Sequence, residues 1–464
     1  MPADPSATPP RIRGRAVVLG TVLLLLAGSG VALDRVMGAR ATGPGRAETG
    51  PTGSWFCPHG GADGWRGWVV MTNPGTEPVS VRITSFGEAG IRRVGSLSVA
   101  PDRQVYRRVY TGDQAASTQI EYFGGWVGAA AVLRSEGSGG PAAAERCVGE
   151  PLRAQLLPDE LTGPGQTSFM VVMNPFAADA AFDVVIRTEK REVRPKRFSP
   201  FVLEGHRSVA LRVNDHLLQA PGEHTVAAQI ESRIGRVIAG GLGLSEGGIR
   251  AEAGIWPLRP RVIIPAGGHV GPAQLLLVNP LASPADLLIV GEGRASQQVI
   301  AGPAGISIPP EGVRTVEVPE TDAGIVVSAT EDRHVAAALR LTGSGGDGAT
   351  ISGGVPARSW LVMPTLPPAG GNALLIMQNP GRSLARVTVR LIGPRGVVAA
   401  RELQSFVVEA GRIIHVPLRP AVGPQPVSAM VTAEEGTIVA ASASYTRGGS
   451  GYAATLGLPM QDVG

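Results

Sequence analysis

The sequence predicts an all-β protein: four tandem immunoglobulin-like β-sandwich units that follow a single N-terminal transmembrane helix. Three observations lead to this prediction. An apolar run ending in Asn-Pro occurs four times at nearly equal spacing. Short segments in which polar and apolar residues alternate fill each interval, and such alternation is typical of half-buried strands. No long segment with helical periodicity occurs after residue 34, which argues against folds that alternate strands with helices.

The Asn-Pro pairs are the strongest evidence for repetition. The four asparagines are 101, 105 and 100 residues apart, and each follows a run of apolar residues. Asn can hydrogen-bond its own turn, and Pro presets the backbone for the next turn position, so each pair predicts a tight bend between two strands. The predicted turn residues are Asn73, Pro74, Asn174, Pro175, Asn279, Pro280, Asn379 and Pro380.

Each repeat contains enough short strands for one sandwich. A strand ending in Pro opens the repeat, and hairpins of small and β-branched residues close it, with turn signals every 8–12 residues. A four-bladed propeller is the competing topology, but propeller blades have roughly 40–50 residues, and these repeats are twice as long. The predicted sandwiches are residues 53–152, 153–259, 260–357 and 358–464.

An uncharged apolar segment lies near the N-terminus. Residues 16–33 carry no charge and are just long enough to cross a membrane as a helix. Three arginines precede the segment, which predicts a cytoplasmic N-terminus. A cleaved signal peptide is the alternative, and both interpretations export the rest of the chain. The favoured arrangement is a cytoplasmic tail (1–15), a transmembrane helix (16–33) and an extracytoplasmic linker (34–52).

The composition limits the class of protein. Apolar residues make up 43% of the 464 residues, which excludes a disordered chain. Aromatic residues contribute only 4%, so the cores must consist mainly of Val, Leu, Ile and Ala. The net charge is +4, and the basic residues are spread along the chain rather than clustered, so no nucleic-acid partner is expected.

The two cysteines predict one disulfide. Cys57 ends the first strand of the first repeat, and Cys147 lies in its last strand. The first and last strands of a sandwich can lie side by side, and disulfides are typical of exported proteins. The other three repeats have no cysteine, so the bond would reinforce one repeat only.

No motif in the sequence predicts catalysis, a metal site or a cofactor. Residues 243–247 match the G-x-S-x-G pattern of serine hydrolases, but a strand pattern follows Ser245 where that motif requires a helix. The seven histidines show no metal-ligand spacing. Pairs of carboxylates suited to glycoside hydrolysis cannot be identified from sequence, since their separation in space decides.

The first repeat is the least ordinary and holds four of the six tryptophans. Its loop at 59–68 brings together His59, Asp63, Trp65 and Arg66, and tryptophan faces beside polar groups suit a sugar ring or a protein partner. The simpler interpretation assigns the other three tryptophans to the core and leaves only Trp65 exposed.

The layout resembles an uncharacterised family of exported, membrane-anchored actinobacterial proteins with tandem β-rich units, a domain of unknown function. The resemblance rests on WFCP (55–58), VVMTNPG (69–75) and the Gly-rich late hairpins, and it covers about residues 54–460. These motifs are structural. The resemblance therefore implies a location in the cell envelope and supplies no active site.

These observations favour a non-catalytic protein held in the cell membrane by one N-terminal helix, with its C-terminal units outside the cytoplasm. Four sandwiches in a row would form a rod that scaffolds the envelope or binds an envelope protein. The alternative is a cell-wall glycan-binding protein that uses the aromatic residues of the first repeat. A hydrolase is the third and least favoured hypothesis.

Overall fold

The structure is a computed structural model that describes residues 51–460 with short gaps. The predicted tail, the predicted transmembrane helix (16–33) and nearly all of the linker (34–52) lie outside the described residues. Within the described part, no helix is both long and apolar enough to span a membrane. The gaps are 136–139, 218–222, 247, 270, 272, 320–321, 344–347, 366–371, 424 and 446–450, and the side chains of 302–304 are also not described.

Strands form nearly all of the regular structure, which confirms the all-β prediction. We use unit 1 for residues 51–152 and unit 2 for 153–259. The strands of unit 1 are β1 (Thr52–Cys57), β2 (Trp65–Asn73), β3 (Val79–Gly87), β4 (Gly90–Val99), β5 (Arg103–Val109), β6 (Ser117–Phe123), β7 (Gly128–Ser135) and β8 (Ala142–Arg146). Those of unit 2 are β9 (Ala154–Leu161), β10 (Gln166–Asn174), β11 (Ala180–Thr188), β12 (Glu192–Val193), β13 (Phe201–Leu203), β14 (Arg207–Arg212), β15 (Thr225–Ile234), β16 (Ile238–Ser245) and β17 (Ile249–Ala253).

The second half of the chain repeats this succession as unit 3 (260–357) and unit 4 (358–460). Unit 3 contains β18 (Arg261–Ile264), β19 (Ala273–Asn279), β20 (Ala285–Glu292), β21 (Gln297–Ile308), β22 (Gly312–Val318), β23 (Gly324–Ala329), β24 (Ala336–Thr342) and β25 (Gly348–Ser352). Unit 4 contains β26 (Ser359–Val362), β27 (Asn372–Asn379), β28 (Ala385–Gly393), β29 (Gly396–Val398), β30 (Ser405–Val408), β31 (Arg412–Pro417), β32 (Ser428–Glu435), β33 (Val439–Tyr445), β34 (Ala453–Leu456) and β35 (Leu458–Met460).

Helical structure in the described residues is limited to single turns. They are α1 (Asn214–Leu217), α2 (Arg419–Val422) and the 3-10 turns Lys196–Phe198, Thr330–Asp332 and Arg401–Leu403. Two of the 3-10 turns interrupt the fourth strand of units 2 and 4, whereas the fourth strands of units 1 and 3, β4 and β21, are continuous.

Each unit consists of two antiparallel sheets. In unit 1 the outer sheet has the order β1-β6-β3-β4, and the inner sheet has the order β5-β2-β7-β8. The inner sheets of the other units repeat this order as β14-β10-β16-β17, β22-β19-β24-β25 and β31-β27-β33-β34. An immunoglobulin sandwich places its first two strands in one sheet. Here β1 and β2 lie in different sheets, so the observed strand order differs from the immunoglobulin-like order that the sequence suggested.

The four repeated asparagines occupy the same bend in each unit, and all four are buried. In unit 1, Asn73 Nδ2 donates to the carbonyls of Glu77 and Val99, at 2.7 and 3.0 Å, and Asn73 Oδ1 accepts the N–H of Gly75 at 2.9 Å. One side chain thus supplies hydrogen-bond partners to the backbone of the turn after the second strand and connects this turn to the end of the fourth strand. The equivalent bonds run from Asn174 to Ala178 and Leu203, from Asn279 to Ser283 and Ile308, and from Asn379 to Ser383 and Val408.

The units form a closed ring, as the residue before each repeated asparagine shows. This residue is buried in every unit and contacts the preceding unit. Met173 packs on phenylalanines of unit 1, and Val278 packs on apolar residues of unit 2. Gln378 Nε2 donates to Glu292 of unit 3 at 2.9 Å. In unit 1 the equivalent Thr72 hydroxyl lies 2.7 Å from the hydroxyl of Ser428, which belongs to unit 4.

The last strands of the inner sheets surround the centre of this ring. β8 contacts β17, β17 contacts β25, β25 contacts β34, and β34 returns to contact β8. The apolar core of unit 1 likewise extends into unit 4 through Leu361, Met363, Ala453 and Leu458. The expected rod is therefore replaced by a ring, because the surface that unit 4 would present at a free end is buried against unit 1. Such head-to-tail contacts close when their rotation completes a circle.

Candidate functional site

His59, the first residue of the predicted surface, is buried. One ring nitrogen, Nδ1, lies 2.7 Å from the carbonyl oxygen of Gly60, and Nε2 lies 3.0 Å from the hydroxyl of Thr118. Burial lowers the pKa of His59 to about 4, although the bond to Gly60 acts in the opposite direction. The imidazole is therefore neutral at pH 7, donates to Gly60 through Nδ1–H and accepts the hydroxyl hydrogen of Thr118. These hydrogen bonds stabilise the chain after β1, and the buried ring is not available to a ligand.

The other three predicted residues separate into two environments. Trp65 is half-buried and packs against an apolar cluster that combines Leu133 of unit 1 with Val171 and Leu242 of unit 2. Asp63 and Arg66 are exposed. The structure therefore does not assemble the four residues into one site, because the tryptophan lies in a junction between units.

Cys57 and Cys147 form the predicted disulfide, which joins β1 to the residue after β8. The positions equivalent to Cys147 in the other units are Gly254, Gly353 and Gly457, each directly after the last inner strand. An added Cβ would clash with the side chain of Val262 at Gly353 and would lie 3.1 Å from that of Gln155 at Gly254. The other units therefore place a neighbouring side chain close to a glycine where unit 1 places the covalent bond.

Sequence reasoning missed a buried ionic cluster between units 2 and 3. Asp159 of β9 is 4% exposed and accepts hydrogen bonds from Arg340 (Nε to Oδ1, 2.9 Å) and from the hydroxyl of Thr350, both in unit 3. Arg250 of β17 lies 3.5 Å from the second carboxylate oxygen. Burial alone would raise the pKa of Asp159, but the two arginines and the hydrogen bonds hold this pKa at about 2. The carboxylate remains ionised and links the two units.

Two further carboxyl groups lie beside this cluster. Glu252 Oε1 accepts the N–H of Asp159 at 3.2 Å. Three oxygens of these groups have no hydrogen-bond partner among the described residues: both carboxyl oxygens of Glu160 and Oε2 of Glu252. A Cβ on Gly241 would lie 2.8 Å from Glu252 Oε1 and 3.0 Å from Glu160 Oε1, so the glycine makes room for both groups. Burial, reinforced by nearby carboxylates, raises the pKa of Glu160 to about 8 and that of Glu252 well above its usual value.

A bulge in β9 explains why adjacent acidic residues both lie inside. Glu160 pairs with Val226 of β15 and Leu157 pairs with Ala228, so two residues of β9 oppose one residue of β15. A bulge of this kind re-aims side chains that strand alternation would send to opposite faces. The proline at 158, which the sequence analysis treated as the end of a strand, lies within the bulge.

The burial of this cluster limits what it can do chemically. Glu160 and Glu252 are only 1% and 7% exposed, so a substrate cannot reach the pair without separating the sheets. Within the described residues, no group of three or more His, Cys, Asp or Glu side chains is placed to hold a metal ion. The geometry fits a structural connection between units. One signal could have revealed it, since Arg340 interrupts an apolar strand at the position held by Val132, Leu242 and Ala443 in the other units.

Two other candidates have limited chemistry. Ser245, the serine of the G-x-S-x-G match, is half-buried at the end of β16 and donates to the carbonyl of Gly248 at 3.3 Å. A half-open cleft of about 450 Å³ lies on the outer sheet of unit 4, lined by residues that include Thr388, Arg390 and Met430. The charge of Arg390 is neutralised by Asp102 of unit 1, so the cleft contributes to the closing junction of the ring.

Comparisons with known proteins give little functional information. No match was found among curated proteins. Among solved structures, the crystal structure of Thermotoga maritima 1070 is 18% identical over 21% of this chain and 94% of that chain, with a TM-score of 0.19, which is too low to support an inference. The model of a family described as "Family of unknown function (DUF5719)" matches residues 263–463, which cover nearly all of units 3 and 4. For these two units, the predicted resemblance to a family without known function is confirmed.

Proposed function

We propose that this chain is a non-catalytic, membrane-anchored extracytoplasmic protein that scaffolds the cell envelope by binding other proteins. The observation that carries the proposal is the closed ring. Its four junctions hold the units in fixed relative positions, and the buried ion pair of Asp159 with Arg340 lies in a junction rather than around an open cleft. Small-molecule sites are concave pockets, whereas protein partners bind broad surfaces such as the strand-built faces of this rigid frame.

Two features support the extracytoplasmic location. The disulfide between Cys57 and Cys147 is of the kind that forms and persists in oxidising compartments. The apolar segment 16–33, preceded by arginines, is suited to act as the anchor with its N-terminus in the cytoplasm.

The location can be tested through the two cysteines. Cells that express the full chain are lysed in denaturant that contains a thiol-alkylating reagent, so that the buried sulfurs are accessible, and the mass of the protein is measured. An exported chain carries no alkyl group, because both sulfurs are in the disulfide. A chain that stays in the reducing cytoplasm gains two alkyl groups, and that result contradicts the location.

The scaffold role can be tested by chemical crosslinking in intact cells followed by mass spectrometry. We expect repeated recovery of the same envelope proteins, with crosslinks confined to one part of the ring. Hydrolysis of members of an ester or glycoside panel, lost in Ser245→Ala, would show that the chain is an enzyme.

Glycan binding is the second candidate, favoured by the exposed Asp63 and Arg66 beside the half-buried Trp68. Retention of the full chain on cell-wall polysaccharide, lost in Trp68→Ala while the fold survives, would support it. Trp65→Ala is the control. Since Trp65 packs in the junction with unit 2, its loss should lower stability and leave retention of the folded protein unchanged.

A further inference from the structure

The fold brings four arginines of unit 1 together. They form two adjacent pairs, which are 15 residues apart in sequence. Arg92 and Arg93 lie on β4, the edge of the outer sheet, and Arg107 and Arg108 lie on β5, the edge of the inner sheet. A tight turn joins the two strands, so they run past each other along the open side of the sandwich. We call these four residues the arginine flank.

Specific contacts hold the arginine flank in place. Arg93 Nη1 reaches the carbonyl oxygen of Arg108 at 3.5 Å. The guanidinium of Arg92 lies 5.0 Å from the centre of the Tyr110 ring, and that of Arg108 lies 5.4 Å from the Trp68 ring. Stacking on aromatic rings fixes the plane of a guanidinium and leaves its N–H groups directed outward.

The arginine flank gathers four exposed arginines on one side of unit 1, and no ion pair among the described residues neutralises them. All four side chains are exposed, and none has a carboxylate within 4 Å among the described residues. Asp113, which lies beside Tyr110, accepts the hydroxyl hydrogen of that tyrosine at 3.1 Å. Arginines on the edges of unit 2 are paired instead, as Arg207 with Glu204 and Arg212 with Asp215.

The pair of adjacent arginines on β5 is also specific to unit 1. The positions equivalent to Arg107 and Arg108, read from their pairing with the second strand, hold Leu-Arg in unit 2, Val-Glu in unit 3 and Val-Pro in unit 4. The arginine flank is therefore not required by the repeated fold.

β4 offers a second recognition element along the same edge. It is ten residues long, and no described strand pairs with its outer side. Ile91 and Val94, next to the arginines, are 50% and 52% exposed. A free strand edge can bind an extended peptide through main-chain hydrogen bonds, while side-chain contacts select the sequence.

We propose that β4 and the arginine flank bind an extended acidic segment of a partner protein by strand addition. The four unpaired arginines match carboxylate side chains on the segment, and Ile91 and Val94 match apolar side chains that alternate with them. This inference rests on the proposed role as a protein-binding scaffold and names the chemistry of its partner. A single-stranded nucleic acid fits less well, because stacked bases need free aromatic faces and here an arginine covers one face of Trp68 and of Tyr110.

The test measures binding of the full chain to three probes of equal negative charge. The first is a ten-residue peptide in which Glu alternates with Val or Thr. The second has the same glutamates with Pro at the intervening positions, which removes the N–H groups needed for a strand. The third is a polygalacturonate fragment. We expect the first peptide to bind at least about tenfold more tightly than the other two, and its affinity to fall as salt is added.

A matched pair of variants tests the site. Arg107→Gln/Arg108→Gln should weaken binding of the first peptide on the order of tenfold or more. Arg207→Gln/Arg212→Gln removes the same charge from the equivalent strand of unit 2 and should change the affinity by less than about twofold. If loss of Arg108 unsettles Trp68 and the protein misfolds, Arg92→Gln/Arg93→Gln on the exposed β4 replaces the first variant.

Three outcomes would overturn the proposal. Equal binding of the two peptides would mean that charge alone acts, without strand addition. Preference for polygalacturonate would assign the flank to an anionic glycan instead. Equal losses in the unit 1 and unit 2 variants would show a general electrostatic attraction. None of these outcomes bears on the crosslinking test of the scaffold role, so the two proposals can fail separately.

Discussion

Unit 1 and unit 2 have the same inner-sheet order and the same buried asparagine bend, but they place their charges in opposite ways. Unit 1 exposes four unpaired arginines and is closed by a disulfide. Unit 2 has no cysteine, pairs its edge arginines with acids and buries five of its described acidic residues, among them Asp159 and Glu160. Because Asn73 and Asn174 fix the bend in both units, the residues around the frame can change without changing the frame.

One pair of positions shows this directly. The residue after the proline at the end of the first apolar run is His59 in unit 1 and Asp159 in unit 2. His59 bonds within its own unit, to Gly60 and Thr118. Asp159 bonds to Arg340 in the next unit. The same place in the fold therefore serves internal packing in one unit and connects neighbouring units in the other.

Removing the disulfide should have the largest effect. Cys57 and Cys147 are 90 residues apart, and a bond across such a loop contributes about 4–5 kcal/mol in the loop-entropy estimate. We expect Cys57→Ala/Cys147→Ala to lose most of that free energy of unfolding, measured by denaturant titration. Wild-type protein treated with reductant should show the same loss of unfolding free energy as the double variant. A loss below about 1 kcal/mol would mean that the ring junctions already hold unit 1 closed.

Breaking the ion pair between units 2 and 3 should come next. Arg340→Leu leaves the buried Asp159 carboxylate without its main partner, which typically costs about 3–5 kcal/mol. Leucine is the residue at the equivalent position of unit 2, so the strand itself should accept it.

The control for this variant is Asp159→Asn/Arg340→Leu, which removes both charges. It should recover a large part of the lost stability in the same denaturant titration. Equal losses in the single and double variants would show that the hydrogen bonds of Asp159, rather than its charge, hold the junction.

Unit 1 should be sensitive to acid through His59. Its pKa in the folded protein is about 4, below the usual 6.5, so its contribution is complete above pH 6.5 and is lost as the pH falls toward 4. The loss is at most about 3 kcal/mol, at 1.4 kcal/mol for each pKa unit. His59→Gln can keep both hydrogen bonds without titrating. The difference in unfolding free energy between pH 7 and pH 4.5 should therefore shift by this amount in the variant.

In unit 2 the unfolding free energy should change with pH in the opposite direction, which provides an internal check. The pKa of Glu160 in the folded protein is about 8, above the usual 4.5, so its contribution is complete below pH 4.5 and is lost as the pH rises toward 8. The two pH ranges overlap from pH 4.5 to 6.5, where His59→Gln should remove a rise of stability with pH and Glu160→Gln should remove a fall. Between pH 6.5 and 8 only Glu160→Gln should change the profile. A change of the same sign in both variants would contradict the assignment of the two slopes to the two units.

The smallest expected effect concerns ring closure. Gln104 of unit 1 is buried, donates to the carbonyl of Pro426 at 3.0 Å and accepts the hydroxyl hydrogen of Ser428 at 2.8 Å, both in unit 4. Gln104→Ala leaves the carbonyl of Pro426 unpaired and removes one partner of the Ser428 hydroxyl, which keeps its contact with Thr72, and should cost about 1–2 kcal/mol. Amide hydrogen exchange should rise in β5 and in β32 together. A rise confined to unit 1 would contradict energetic coupling across the junction.

The strand pattern, the asparagine bends and the cysteine pair could be predicted from the sequence because each depends on local chemistry or on repetition. Alternating residues mark strands, and Asn73 to Asn379 recur in the same context. The ring could not be derived in the same way. Contact between Thr72 and Ser428 joins residues 356 apart. No local sequence pattern encodes which surface of unit 1 will be covered by unit 4.

The candidate sites were harder to predict for a related reason. The loop at 59–68 suggested a shared site, but Trp65 packs toward unit 2 and His59 packs into unit 1. The arginine flank was hidden because 15 residues separate its two halves in sequence. Only the pairing of β4 and β5 with their own sheets brings those halves to the same side of the sandwich.

Closure within a single polypeptide has a consequence for how this molecule could vary. The ring is arranged like a tetramer whose four subunits are encoded as one chain. In a homotetramer every substitution occurs in all four subunits, whereas here a substitution changes one unit only. Three junctions are crossed by the backbone, whereas that between units 1 and 4 depends on contacts such as Thr72 with Ser428. A circular permutant opened between units 2 and 3 and joined between units 4 and 1 would move the weak point to the ionic cluster of Asp159.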